Sequence, residues 1–128
     1  MTNSKAAKSF GPYTPVRQVG DLFFVSGQVG VDFAKKTSKA DAAWQTGKAL
    51  DNMAEALAGV GLTLDDVVKA TVFITNMDES AYVNEVYMER FNAPRPARSM
   101  VAVKELPRVV EGCPLKVEIE AIAARKTK

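Results

Sequence analysis

The chain has 128 residues, 47% hydrophobic and 25% charged, which is the balance of one folded domain over residues 1–128 and excludes wholesale disorder. Seventeen basic against 15 acidic residues leave a net charge of +2, which argues against a nucleic-acid partner, since that needs a concentrated basic face. With no histidine and one cysteine, Cys113, the chain excludes Ser-His-Asp and Cys-His nucleophilic sites, the usual zinc sites and an internal disulfide framework.

The N-terminal stretch Met1-Thr2-Asn3-Ser4-Lys5-Ala6-Ala7-Lys8 lacks the apolar core of a signal peptide. Nowhere is there an apolar run long enough to span a membrane, so a cytoplasmic protein is expected. Val16–Val19 and Leu22–Ser26 flank Gly20-Asp21, which predicts a β-hairpin. The second strand ends in Ser26-Gly27-Gln28-Val29-Gly30, where two glycines permit positive φ or close approach of another group. A loop follows to Ser38, its Lys35-Lys36 pair read as solvated, like the basic tail Arg125–Lys128.

Residues 40–59 carry a helical stripe of Ala43, Leu50, Met53, Ala54 and Leu57, with Lys48, Asp51, Asn52 and Glu55 mostly away from it. Gly59 and Gly61 stop that helix, and Thr63-Leu64-Asp65-Asp66 reads as a capped turn into a β-branched strand, Val67–Thr75. A second helix is predicted over Ser80–Phe91, with Val83, Val86 or Tyr87, and Phe91 as its apolar face. Strands at Ser99–Lys104 and Leu115–Ala124 complete the order β-β-α-β-α-β-β, an α+β fold with one sheet.

Pro94 and Pro96 forbid helix between the second helix and the following strand, so Arg98 is presented on stiff backbone at a strand mouth. A guanidinium so held suits bidentate capture of a carboxylate or phosphate, although a surface arginine in a loop is the ordinary alternative. Several strands are apolar on both faces, as at Leu22-Phe23-Phe24-Val25 and Met100–Val103, yet two helices cover only one face of a small sheet. The second face therefore calls for a partner, most simply another copy of the chain. On the last strand Leu115, Val117, Ile119, Ala121 and Ala123 alternate with Lys116, Glu118, Glu120 and Ile122, which puts Glu118 and Glu120 on the partner-covered face. A carboxylate there is either an ion-pair partner across the interface or part of a site.

Gly11-Pro12-Tyr13, Val25-Ser26-Gly27-Gln28, Ala70–Ile74, Val83-Asn84, Pro96-Ala97-Arg98-Ser99 and Val117–Ala123, in that order, resemble the reactive intermediate deaminase (Rid, YjgF-like) family, most closely its RidA branch. The resemblance implies a chorismate-mutase-like fold, a single mixed sheet with two helices on one face, assembled as a homotrimer around a central core. It also implies sites at subunit junctions, no metal or organic cofactor, and hydrolysis of 2-imino and 2-enamino acids released by pyridoxal-phosphate enzymes to 2-keto acids and ammonia.

By the same resemblance Arg98 binds the substrate carboxylate, and Glu118 holds or activates the attacking water. Tyr13 and Asn84 line the pocket, Ser26 stands at its wall, and the backbone at Gly30 meets the imine nitrogen. Met100 occupies the position where the family commonly has cysteine, which excludes thiol chemistry there and adds bulk beside the substrate. Thr14-Pro15 likewise replaces the usual Ser-Gln after Gly-Pro-Tyr. Alternatives on the same fold are a non-catalytic ligand-binding or protective protein and a 2-aminomuconate-type deaminase.

Overall fold

Gly20 adopts φ +60°, and Val19 pairs directly with Leu22 across the predicted turn. A positive φ is what a tight two-residue hairpin requires, and glycine supplies it without steric cost. The hairpin joins β1 (Val16–Val19) to β2 (Leu22–Val29). Then come α1 (Ala42–Ala58), β3 (Val67–Ile74), α2 (Ser80–Arg90), β4 (Ala97–Ala102) and β5 (Val117–Ala124). This computed structural model describes residues 11–126. The stretch from Met1 to Lys8, read above as lacking a signal peptide, and the last two residues of the basic tail lie outside the described residues.

One mixed sheet holds all five strands in the order β1-β2-β5-β3-β4. β5 is antiparallel to both its neighbours, and β4 runs parallel to β3 at the edge. The capped turn before β3 forms as the sequence predicts: the Thr63 hydroxyl accepts from the Asp65 N–H, and Asp66 accepts from the Thr63 N–H at 2.9 Å. β4 begins two residues earlier than expected, because Ala97 already pairs with Lys69 of β3. β2 runs on past Ser26 to Val29, its register with β5 shifting between Val25 and Gln28, where a bulge absorbs Ser26 and Gly27.

The helices cover one face only. Phe23 and Val25 of β2, Val117, Ile119, Ala121 and Ala123 of β5, and Ala70, Val72 and Ile74 of β3 are buried in one cluster with Leu50, Met53 and Leu57 of α1 and Val83, Tyr87 and Phe91 beneath α2. On the opposite face Val19, Leu22, Phe24 and Val101 remain exposed. That is the uncovered face expected from counting helices.

The stripe of α1 differs from the one read off the sequence. Ala43 and Ala54 are only half-buried, whereas Gln45, Thr46, Ala49 and Ala56 are buried. Two polar residues inside the true stripe hide it. Gln45 is fully buried because its side chain donates to the Lys39 carbonyl at 2.8 Å and accepts from the Lys116 N–H at 2.7 Å. The Thr46 hydroxyl donates to the Ala42 carbonyl at 2.7 Å. Asn52, expected to point away, donates to the carbonyls of Val29 and Val31, both at 2.9 Å, and so ties α1 to the end of β2. These polar groups of α1 are thus satisfied, which offsets the cost of burying them.

A candidate active site in two halves

The predicted site residues fall into two groups on opposite faces of the sheet. In the parallel pairing of β3 with β4, Arg98 stands beside Ala70, which is buried under the helices. Arg98 therefore rises on the helix side, at the sheet edge. There its Nη1 donates to Asn84 Oδ1 at 2.8 Å, and its guanidinium lies over the Tyr87 ring at 4.8 Å. Asn84 and Tyr87 are one turn apart on α2, so one helix face supplies both supports. Among the described residues Arg98 has no carboxylate partner, and its side chain is exposed. A cation aligned by an amide oxygen and a π-face, with its charge unspent, is prepared for an external anion.

Tyr87 is nearly fully buried and its hydroxyl has no hydrogen-bond partner. Burial raises its pKa above the usual tyrosine value, with Arg98 and then Arg95 opposing the rise. The hydroxyl therefore stays protonated, and the ring faces Arg98 as a neutral platform. Met100, two residues beyond Arg98, follows it on the helix side beside Val72 and packs against the main core. Its bulk is accommodated by turning into the interior.

Glu118 belongs to the other face. It pairs with Phe73 of β3 and Val29 of β2, out of phase with the buried Val117 and Ile119. Burial raises its carboxyl above the usual glutamate range, and Glu120, two residues along the same face, adds to the rise. Among the described residues it has no cationic partner. Its charge is therefore left for a group outside the subunit, either a partner across the interface or a bound substrate.

Gly27 explains how a carboxylate fits there. An added Cβ at Gly27 would overlap the Glu118 carboxylate itself. Neither Gly27 nor Gly30 adopts positive φ, so both glycines serve close approach. Gly30, however, approaches a different group: its added Cβ would lie 2.6 Å from the Cα of Gln45, and its carbonyl accepts from the Ser38 hydroxyl at 2.6 Å. It packs beneath α1, one residue beyond Val29, the β2 partner of Glu118. Ser26 lies next to Gly27 and secures the preceding segment, its hydroxyl donating to the Thr14 carbonyl at 2.6 Å and its N–H to the Pro15 carbonyl at 2.9 Å. That tether places the Tyr13 segment beside the β2 bulge, and Tyr13 is half exposed.

One half thus comprises Arg98, Asn84 and Tyr87 with Met100 alongside. The other comprises Glu118 and Gly27, with Ser26 anchoring the segment of Tyr13. Gly27 and Tyr87 are the members sequence reasoning missed as site residues. Among the described residues no cluster of three or more metal-ligating side chains occurs.

The family model described as Endoribonuclease L-PSP matches residues 3–125. The chain belongs to that family. A 2-iminobutanoate/2-iminopropanoate deaminase of Escherichia coli K12 is 37% identical over 129 residues, spanning 98% of this chain and 97% of its own length. A RutC family protein of Pyrococcus abyssi is 38% identical over 95% of this chain and 93% of its own. Among solved structures, E. coli TdcF with bound serine superposes with a TM-score of 0.84 at 36% identity, covering 98% of this chain and 97% of that one. RidA from a Psychrobacter species gives 0.85 at 31% identity, over 98% and 97%. The Rid resemblance read from the sequence, and with it the mixed sheet carrying two helices on one face, therefore stands.

Proposed function

We propose that this chain is a deaminase that hydrolyses 2-imino acids, and the enamines in equilibrium with them, to 2-keto acids and ammonia. The observation that carries the reading is an unspent guanidinium on one sheet face and an unpaired, partly desolvated carboxylate on the other. Within one copy the two cannot meet across the sheet. In a homotrimer the exposed apolar face of Val19, Leu22, Phe24 and Val101 is covered by neighbouring copies. The Arg98 half of one copy then closes over the Glu118 half of the next.

The chemistry follows from the two halves. Arg98 takes the substrate carboxylate in a bidentate pair, which fixes the imine carbon in position. Glu118 accepts a proton from a water whose oxygen attacks the carbon of the protonated imine, giving a neutral carbinolamine. The same carboxyl then protonates the amine nitrogen and takes the hydroxyl proton back as the C–N bond breaks and the carbonyl forms. Ammonia leaves and carries that proton as ammonium, so one water is consumed and Glu118 returns to its carboxylate. A carboxyl raised toward neutrality is better matched to both transfers than an exposed glutamate. No histidine is needed.

The relatives named as imine deaminases and the serine bound to TdcF support a small amino-acid-like substrate. Met100, already packed against the core, leaves Arg98 in place and sets the wall next to the substrate side chain. No helix among the described residues is long and apolar enough to cross a membrane, which is consistent with the cytoplasmic location proposed here. The direct test supplies 2-imino acid from a pyridoxal-phosphate dehydratase and follows keto-acid release. The protein accelerates release, and Arg98→Ala does so at least about tenfold less well; equal acceleration by both would remove the proposed site.

A further inference from the structure

A cavity of about 450 Å³ opens beside the helices, between the loop 32–39, the first three turns of α1 and the end of α2. It shares no residue with either half of the proposed active site. Four cations line it, Lys35, Lys39, Lys48 and Arg90, against two carboxylates, Asp32 and Asp51. Both carboxylates are already engaged. Asp51 receives Arg90 at 2.6 Å and Lys48 at 3.8 Å. Asp32 Oδ1 accepts the backbone N–H groups of Ala34 and Lys35 at 3.1 and 3.2 Å.

Lys35 and Lys39 have no acidic partner among the described residues. The pocket thus carries an excess of two positive charges, equal to the net charge of the whole chain. Trp44 forms part of the wall, with Lys39 and Lys48 at 5.6 and 5.9 Å from its ring. Lysine is a strongly hydrated point charge suited to phosphate, and an indole face suits a planar ring. The volume lies within the range of small-molecule sites.

We propose that this pocket binds a phosphate monoester carried on a planar aromatic body. The phosphate is a dianion near neutral pH and matches the two uncompensated lysines. The ring lies against Trp44, and Arg90 and Lys48, already held by Asp51, form the fixed floor of the site.

Trp44 is the only tryptophan, so selectively excited tryptophan fluorescence reports on this pocket. Titration with adenosine 5′-monophosphate gives a saturable change in that signal. Adenosine and inorganic phosphate, each carrying half of the recognised chemistry, bind at least about tenfold more weakly, and so does adenosine monophosphate to the Lys35→Glu/Lys39→Glu protein. Circular dichroism of that double variant matches wild type, since both side chains are exposed. Arg98→Ala leaves the titration unchanged, which separates this site from the deaminase reading. No saturable change, undiminished binding by the double variant, or phosphate binding as tightly as the nucleotide would each overturn the proposal. A single-stranded oligonucleotide that binds more tightly per phosphate would assign the pocket to a polymer and overturn it as well.

Discussion

Arg98 and Glu118 project from opposite faces of one five-stranded sheet, Arg98 beside buried Ala70 on the helix side and Glu118 beside Phe73 on the open side. Each lacks a charged partner among the described residues, and each is held by neighbours that fix its position and leave its charge unneutralised. Two complementary groups that one copy keeps apart become a site when copies meet.

Arg98 is exposed, so its replacement should leave folding intact and act on binding. Loss of a charge-assisted bidentate pair costs about 1.5–3 kcal/mol, so Arg98→Ala should lower kcat/KM by roughly 10- to 150-fold. Inhibition by the 2-keto-acid product should weaken in parallel. Arg98→Lys should recover little of this, because an ammonium lacks the planar fork. Steady-state kinetics of both variants checks the prediction.

Glu118 predicts the pH dependence. Its carboxyl is raised in the folded chain by burial and by Glu120, so the carboxylate base is lost as pH falls through that raised value. The acid limb of kcat/KM should therefore lie above the ordinary glutamate range, and Glu118→Gln should abolish the limb along with most of the rate. The sign for stability is opposite to that of a paired carboxylate. A carboxyl with a raised folded pKa binds its proton more readily folded than unfolded, so it costs stability once pH passes from the unfolded value through the folded one. Glu118→Gln should accordingly match or exceed the wild-type Tm at pH 7, with the difference gone at pH 4.

Gly27 separates geometry from chemistry. Gly27→Ala places a methyl group where the Glu118 carboxylate lies, which must displace it. Turnover should fall as far as in Glu118→Gln, while product binding through Arg98 is kept. A Gly27→Ala enzyme with full kcat would show that the carboxylate need not sit there.

Gln45 predicts the largest effect on stability. Gln45→Leu would strand the Lys39 carbonyl and the Lys116 N–H inside the protein, at about 1–3 kcal/mol for each buried unsatisfied group. Thermal unfolding should show a Tm lower by roughly 10 °C or more, with the folded enzyme still active.

Much of this was legible in the chain itself. Gly20-Asp21 announced the hairpin, the alternation from Val117 to Ala123 placed Glu118 on the open face, and two helices could not cover both faces of so apolar a sheet. The face taken by Arg98 was not legible, because β4 is an edge strand with no alternation to orient it; only the pairing of Arg98 with Ala70 decides it. Gln45 was missed because polar residues break a hydrophobic stripe, and their burial depends on backbone partners at Lys39 and Lys116. The approach of Gly27 to Glu118 was not legible either, because it depends on the bulge after Val25.

The site assembled between copies is tested most directly by mixing two impaired enzymes. Arg98→Ala and Glu118→Gln proteins, unfolded together and refolded as mixed trimers, should regain roughly a quarter of wild-type activity, the fraction of junctions that receive both intact residues by chance. Each variant refolded alone should keep only its own residual activity, roughly a tenth of wild type or less. Mixed trimers with no activity above the separate variants would show that Arg98 and Glu118 do not act across a subunit boundary.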